Sequence, residues 1–333
     1  MLRPLLRRPQ PAALPREGTA RLLSIPQNPL PGRAEIGWTR SARGMLLRTA
    51  FWPATGPCRG TVVLLQGRCD FIEKYFETVR ELRRRGFAVA TFDWRGQGGS
   101  GREISDTAAS HVADFALYQA DLDCVVEDLL ADCPRPHLAL GHSMGGCILI
   151  EALIANPRRF AGAVLTSPMV GLSPGLAPPM AASLASAMTR VGLGRWRIPG
   201  GPLERSRAEP DFNDNVLTSD PHRYARLRAL NTAAPDLGLG NPTVSWVRAA
   251  FAAMGRINAQ GGGERISVPV VAVAGAADKV TDTLATRRLI ETIPAGRMVV
   301  LPGCRHEVLL ERDPYRVRFW TAFERLAGEV APA

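Results

Sequence analysis

The sequence predicts an α/β fold, a mostly parallel sheet with helices on both faces and a helical block inserted before the last strands. Three observations carry this. Short runs that are apolar throughout alternate with helical patterns, which is how strands covered on both faces of a parallel sheet read. After "FAGAVLTSP" (160–168) the rhythm stops for about a hundred residues, too long for a single crossover or for a structureless loop in a compact domain. It then returns with "VPVVAVAGAAD" (268–278) and runs to the end of the chain.

Residues 1–34 are rich in proline and arginine and show no periodicity, so they read as an extension with little structure of its own. Order begins with "AEIGWTRSARGMLLRTAFWPA", where apolar and polar residues alternate about an Ala42-Arg43-Gly44 turn, the pattern of a hairpin. The alternating part follows: a strand at 60–67, a helix at 72–85, a strand at 87–94, a helix near 114–131, a strand at 137–142, a helix from 144 and a strand at 160–168. The core therefore has a first part at 35–168. Within the long gap, "PPMAASLASAMTRVGL" and "DPHRYARLRALNTAA" look helical, so 169–244 reads as an inserted helical cap. "TVSWVRAAFAAMGRIN" leads back to the sheet, and the second part of the core, 245–333, supplies the strand at 268–278, a helix at 282–293, a strand at 296–303 and a helix at 313–327.

Composition narrows the function. With 46% hydrophobic and 22% charged residues over 333 positions, the chain can bury a large core and is neither disordered nor fibrous. No apolar run approaches the roughly 18 residues that cross a bilayer, and "MLRPLLRRPQPAALPREG" lacks the apolar stretch of a secretory signal. A cytoplasmic protein is expected, with room for peripheral contact with a membrane. Six scattered cysteines, without CxxC pairs, read as free thiols, Cys147 and Cys304 among them as small buried hydrophobes. No metal-ligand spacing and no cofactor motif are found, and oligomeric state leaves no mark. The net charge of +10 is almost all arginine and peaks in "RELRRRG" (80–86). Without interleaved aromatics or a nucleic-acid motif this stretch reads as a solvated surface with some attraction for anionic lipid, not as a nucleic-acid site.

The chemistry lies in "HLALGHSMGG" (137–146), a strand, a tight corner and a helix start with Ser143 at the centre of Gly-x-Ser-x-Gly. Gly141 and Gly145 keep side chains out of a strained corner, His142 lies between Gly141 and the serine, and the hydroxyl is held clear at a helix N-terminus. A serine hydroxyl needs a base to become a nucleophile, and the base needs an acid to orient it. In this strand-turn-helix context the order is serine, acid, histidine, each at the end of a strand. Asp278 follows "VAVAGAA" and His306 follows "VVLPGCR", with Asp282 as the alternative acid. An oxyanion would be held by two backbone amides, that of Met144 directly after the serine and that of Arg68 in the loop after "TVVLLQG", where Gly67 lets the backbone approach. The Arg68 side chain has two readings, an anion ligand or an ion-pair partner of Asp70 or Glu73. Pairing is the simpler.

"VVLLQGRCDFIEKY", "TFDWRGQGGSGR", "GHSMGG", "AGAADKVTD" and "GCRHEVLLERD", in this order and spacing, resemble the α/β-hydrolases of the lysophospholipase and monoacylglycerol lipase group, related to the serine aminopeptidases. The resemblance covers about 35–168 and 245–330. It implies the α/β-hydrolase fold and a serine esterase, independent of cofactor, that acts on a small-molecule lipid ester, with Ser143, His306 and Asp278 as nucleophile, base and acid. Gln66 departs from the family, many of whose members have histidine there, and the cap carries no motif. An aminopeptidase or small-ester carboxylesterase is the alternative, the former needing cap carboxylates such as Glu204, Glu209, Asp211 or Asp214 for the substrate's α-ammonium. A ligand-binding protein on a hydrolase fold is the reading from another class. Aspartate-dependent dehalogenases and epoxide hydrolases are excluded by Ser143.

Overall fold

The computed structural model describes residues 20–174, 180–199 and 210–332. Eight strands form one sheet: β1 (Glu35–Arg40), β2 (Leu46–Trp52), β3 (Gly60–Leu65), β4 (Phe87–Phe92), β5 (His137–His142), β6 (Gly162–Thr166), β7 (Val270–Gly275) and β8 (Gly296–Leu301). Their spatial order is β1-β2-β4-β3-β5-β6-β7-β8. The expected hairpin is β1 and β2, which pair antiparallel, as do β2 and β4, and every pairing from β4 onward is parallel.

Eight α-helices are described: α1 (Phe76–Arg84), α2 (Ala116–Asp128), α3 (Met144–Ala155), α4 (Ala181–Arg190), α5 (Pro221–Ala233), α6 (Val244–Ile257), α7 (Thr283–Thr292) and α8 (Asp313–Val330). Consecutive residues of a strand point to opposite faces, so "VVLL" in β3 feeds two cores. Val63 and Leu65 pack with α2, α3, α6 and α7, through residues such as Ile148, Ala253 and Leu289. Val62 and Leu64 pack with Phe76 and Val79 of α1 and Phe319 and Phe323 of α8. This double burial is why the strands are apolar without alternation.

Between β6 and α6 lie α4 and α5. α4 packs on α6, and α5 is tied to the first core by Arg223 and Arg226, which together with Arg316 of α8 hold the Glu77 carboxylate of α1. Burial would raise the Glu77 pKa, but the three guanidiniums lower it to about 2. Residues 20–34 contain no helix or strand beyond a bridge between Ile25 and Asn28, yet they are pinned to the core: the Leu23 amide donates to Glu73 Oε1 at 3.0 Å and Asn28 Nδ2 to the Glu73 carbonyl at 2.8 Å. The arginines of "RELRRRG" are occupied. Arg80 and Arg83 donate to carbonyls of Pro29, Pro31 and Pro53, and Arg85 pairs with Glu81 and lies over the Trp320 ring. Cys147 and Cys304 are fully buried free thiols. Among the described residues, no helix is long and apolar enough to cross a membrane.

Candidate active site

From β3 the chain crosses to β4 on one side, while β5 lies on the other. The carboxyl edge between β3 and β5 is thus the point where the strand order reverses, the usual place for a ligand crevice in an open parallel sheet. Leu65 is registered against Gly141, so the loop after β3 and the corner after β5 emerge side by side. Ser143 occupies that corner at φ 49°, ψ −114°, a conformation costly for a residue with a side chain. Three backbone hydrogen bonds hold it: its amide donates to Thr166 O at 3.0 Å, and its carbonyl accepts from Met169 at 3.0 Å and Cys147 at 3.1 Å. A side chain on Gly145 would meet Leu65 O at 2.2 Å, and one on Gly141 the Gly146 Cα at 2.9 Å. The motif's glycines therefore serve the close approach of helix to sheet.

His306, in the loop after β8, accepts from the Ser143 hydroxyl at Nε2 (3.2 Å) and donates through Nδ1 to Asp278 Oδ2 (2.8 Å). Asp278, after β7, also accepts at Oδ1 from the amides of Val280 (2.7 Å) and Thr281 (3.0 Å) and at Oδ2 from the Thr281 hydroxyl (2.8 Å). Burial pushes its pKa up, but the hydrogen bond from His306 and these further donors outweigh it and bring the value to about 2. The alternative acid, Asp282, is used differently: it caps α7, accepting from the amides of Leu284 (2.8 Å) and Ala285 (3.1 Å).

The loop after β3 is braced on both sides of Arg68. The Gly67 amide donates to Asp70 Oδ2 at 2.9 Å and the Cys69 amide to Gln97 Oε1 at 3.3 Å, while Gln97 Nε2 returns to the Gly67 carbonyl at 2.8 Å. A side chain on Gly67 would stand 3.4 Å from Ser143 Cβ, a measure of how closely the loop approaches the serine. Gln66 turns away from the site toward Thr91. The expected pairing of the Arg68 side chain is corrected. Asp70 is taken by Lys74 and by the Tyr75 hydroxyl (2.6 Å), and Glu73 by Arg48 (2.8 Å), leaving Arg68 with the Cys69 sulfur (2.9 Å), the Gly240 carbonyl (3.4 Å) and the Trp246 ring.

Behind the serine lies a second group that the motif reading missed. Lys74 sits buried between Asp70 and Glu307 (2.7 Å to the latter), and Glu307 also meets His142 Nε2 at 3.3 Å. Burial opposes the charges of Glu307, His142 and Lys74, and the attraction of their neighbours overrides it: Glu307 is held well below the carboxylate range, while His142 and Lys74 are held above their usual values. The ligand atoms of Asp70, His142 and Glu307 lie within 4.8 Å of one another, and Lys74 supplies the cation such a cluster needs. The one advance signal was Lys74, one of only two lysines in a chain that otherwise uses arginine, at helical spacing from Asp70.

Two cavities meet at Ser143, Arg68 and Val280. One, of about 340 Å³, is the more polar of the two and is bounded by the loop after β3, His306, Asn231 and Asn241. The other, of about 580 Å³, is walled by Met169, Leu172, Leu184, Met188, Trp246 and Phe251, from the segment after β6, α4 and α6. Of the carboxylates considered for an α-ammonium, Glu204 and Glu209 lie outside the described residues, Asp211 is exposed and pairs with Arg228, and Asp214 lines a different pocket with Lys279 and Arg305.

The family described as "Serine aminopeptidase, S33" matches residues 56–313. Lysophospholipase L2 of Escherichia coli (strain K12) is 32% identical over 272 residues, covering 77% of this chain and 76% of its own. Monoglyceride lipase of Rattus norvegicus is 27% identical over 258 residues, 77% of each chain. Among solved structures, a soluble variant of monoglyceride lipase from Saccharomyces cerevisiae, in complex with a substrate analog, superposes with a TM-score of 0.72 at 21% identity, covering 91% of this chain and 99% of that one.

Proposed function

The chain belongs to the serine aminopeptidase-like family of α/β-hydrolases, in its lysophospholipase and monoacylglycerol lipase group, and from this carboxylic ester hydrolase membership we propose a lipid esterase that cleaves lysophospholipids or monoacylglycerols through an acyl-enzyme on Ser143. The observation that carries the reading is the junction at Ser143 of an apolar cavity sized for an acyl chain with a more polar one suited to the leaving alcohol.

In this mechanism Ser143 Oγ attacks the ester carbonyl while its proton passes to His306 Nε2, and Asp278 orients the ring and stabilises the imidazolium. The amides of Met144 and Arg68 receive the oxyanion. The tetrahedral intermediate collapses, the alcohol leaves with the proton from His306, and water repeats the sequence on the acyl-enzyme. Residues 169–244 act as the cap, with α4 forming one wall of the acyl cavity. Met180, Leu184, Val191 and Trp196, all exposed on or flanking α4, support contact of this face with a lipid surface, and sedimentation with anionic vesicles tests it: protein left wholly in the supernatant removes that contact.

Each buried methylene is worth about 0.8 kcal/mol, roughly fourfold in kcat/KM when the energy is realised in the transition state. Activity on p-nitrophenyl esters in monomeric solution should therefore climb from acetyl to at least hexanoyl and level where the cavity ends, with little cleavage of amino-acid p-nitroanilides. Preference for acetyl would replace the reading with a small-ester hydrolase. Dominant anilide cleavage would replace it with an aminopeptidase, and no covalent labelling by a fluorophosphonate with a ligand-binding protein.

A further inference from the structure

The lipid-esterase reading leaves open whether the leaving alcohol is glycerol or a phosphate-bearing head group, and Arg68 bears on that choice. This half-buried side chain lines both cavities at Ser143. Among the described residues it pairs with no carboxylate: its contacts are a thiol, a backbone carbonyl and an indole face, all uncharged. Burial raises the Cys69 pKa, so that contact remains neutral. A guanidinium in such a setting offers a planar fork suited to two oxygens of a phosphate.

The rest of the polar cavity's charge is committed. Lys74 is closed between Asp70 and Glu307, and His142 answers the second oxygen of Glu307, so neither carboxylate is left for a cationic group of a substrate. With the acyl chain in the apolar cavity and the carbonyl at Ser143, the alcohol portion enters the polar side, and in a lysophospholipid the phosphate follows the ester oxygen by only a few bonds. We propose that the Arg68 guanidinium binds the phosphodiester of a lysophospholipid head group at the junction of the two cavities, and so makes the enzyme prefer lysophospholipids to neutral monoacylglycerols of the same acyl chain. This rests on the esterase reading and narrows it.

The test compares kcat/KM for octanoyl-lysophosphatidylcholine and monooctanoylglycerol, both as monomers, in wild type, Arg68→Met and Arg68→Lys, with fluorophosphonate titration counting active enzyme. The wild type should favour the lysophospholipid. Arg68→Met should lower that preference on the order of ten- to a hundredfold, mainly through KM, as loss of charge-assisted hydrogen bonds does. Arg68→Lys should keep part of it, having the charge without the fork. In a second arm, glycerophosphocholine should inhibit monooctanoylglycerol hydrolysis by the wild type and not by Arg68→Met. Equal losses on both substrates would assign Arg68 to shaping the oxyanion loop and overturn the inference while the esterase stands. A wild type that prefers monooctanoylglycerol, or that is inhibited by inorganic phosphate but not by glycerophosphocholine, would overturn the head-group assignment. Hydrolysis of neither ester would overturn the esterase reading itself, and the inference with it.

Discussion

His142 and Ser143 are consecutive, as are His306 and Glu307, yet within each pair the side chains join different systems. Ser143 and His306 form, with Asp278, a line of hydrogen bonds that begins at a cavity wall. His142 and Glu307 turn instead to Lys74 and Asp70 and close a knot in which every charge has an opposite partner. The line has one free end, the Ser143 oxygen, and can pass the serine proton to His306 when a substrate arrives, while Asp278 stabilises the imidazolium so formed. The knot has none. Its role is to hold the stage, because the Asp70 oxygen that accepts from Tyr75 also accepts from the Gly67 amide and so fixes the loop beside the serine. The same two short segments thus supply a reactive array and its support, and damage to each should look different.

The largest effect expected is on the line. Ser143→Ala should lower kcat by on the order of 10⁴ to 10⁶ while leaving the melting temperature near that of the wild type. More than a tenth of wild-type activity would break the division between the two systems. Asp278→Asn should cost about 10⁴ in kcat through the wrong imidazole tautomer and an unstabilised imidazolium. Asp282→Asn should cost little in rate or stability, since asparagine caps a helix about as well as aspartate. A larger loss at Asp282 would move the acid.

The knot should fail in stability. Lys74→Met leaves two buried carboxylates facing one another, and urea unfolding should report a loss of about 3–5 kcal/mol. A Lys74→Met protein as stable as the wild type but inactive would show that the knot belongs to the chemistry after all. The smallest effect is on pH dependence. The Asp278 pKa is lowered on folding from 3.8 to about 2, so its contribution is fully present above pH 4 and is lost as pH falls through about 2. At 1.36 kcal/mol per unit this is on the order of 2 kcal/mol, read as the stability difference between wild type and Asp278→Asn across that window. A difference unchanged down to pH 2 would mean that Asp278 is not stabilised by the line.

Much of the site was legible because it follows the strands. An elbow serine, an acid after β7 and a histidine after β8 are fixed by element order, and the structure brings Ser143, Asp278 and His306 within hydrogen-bonding distance. The Arg68 side chain was misjudged because nearness in sequence was taken for nearness in space. Asp70 and Glu73 are two and five residues away, but Asp70 faces Lys74 in the 3-10 turn (Ile72–Tyr75) that precedes α1, and Glu73 faces Arg48 of β2. Beyond the local Asp70–Lys74 spacing, the knot was hidden for the same reason: Lys74 and Glu307 are 233 positions apart.

By itself, then, the sequence determined the order of strands and helices, their two-sided burial and the three polar residues at strand ends. These are local properties, set by side-chain periodicity and by the backbone demands of a tight corner. Tertiary structure alone decided which charges neutralise one another, that His306 meets Asp278 rather than Asp282, and that an apolar and a more polar cavity meet at Ser143. Each of those depends on groups from distant strands and helices arriving at one place, where burial makes an unpaired charge costly and leaves the partner to be chosen by geometry rather than by proximity along the chain.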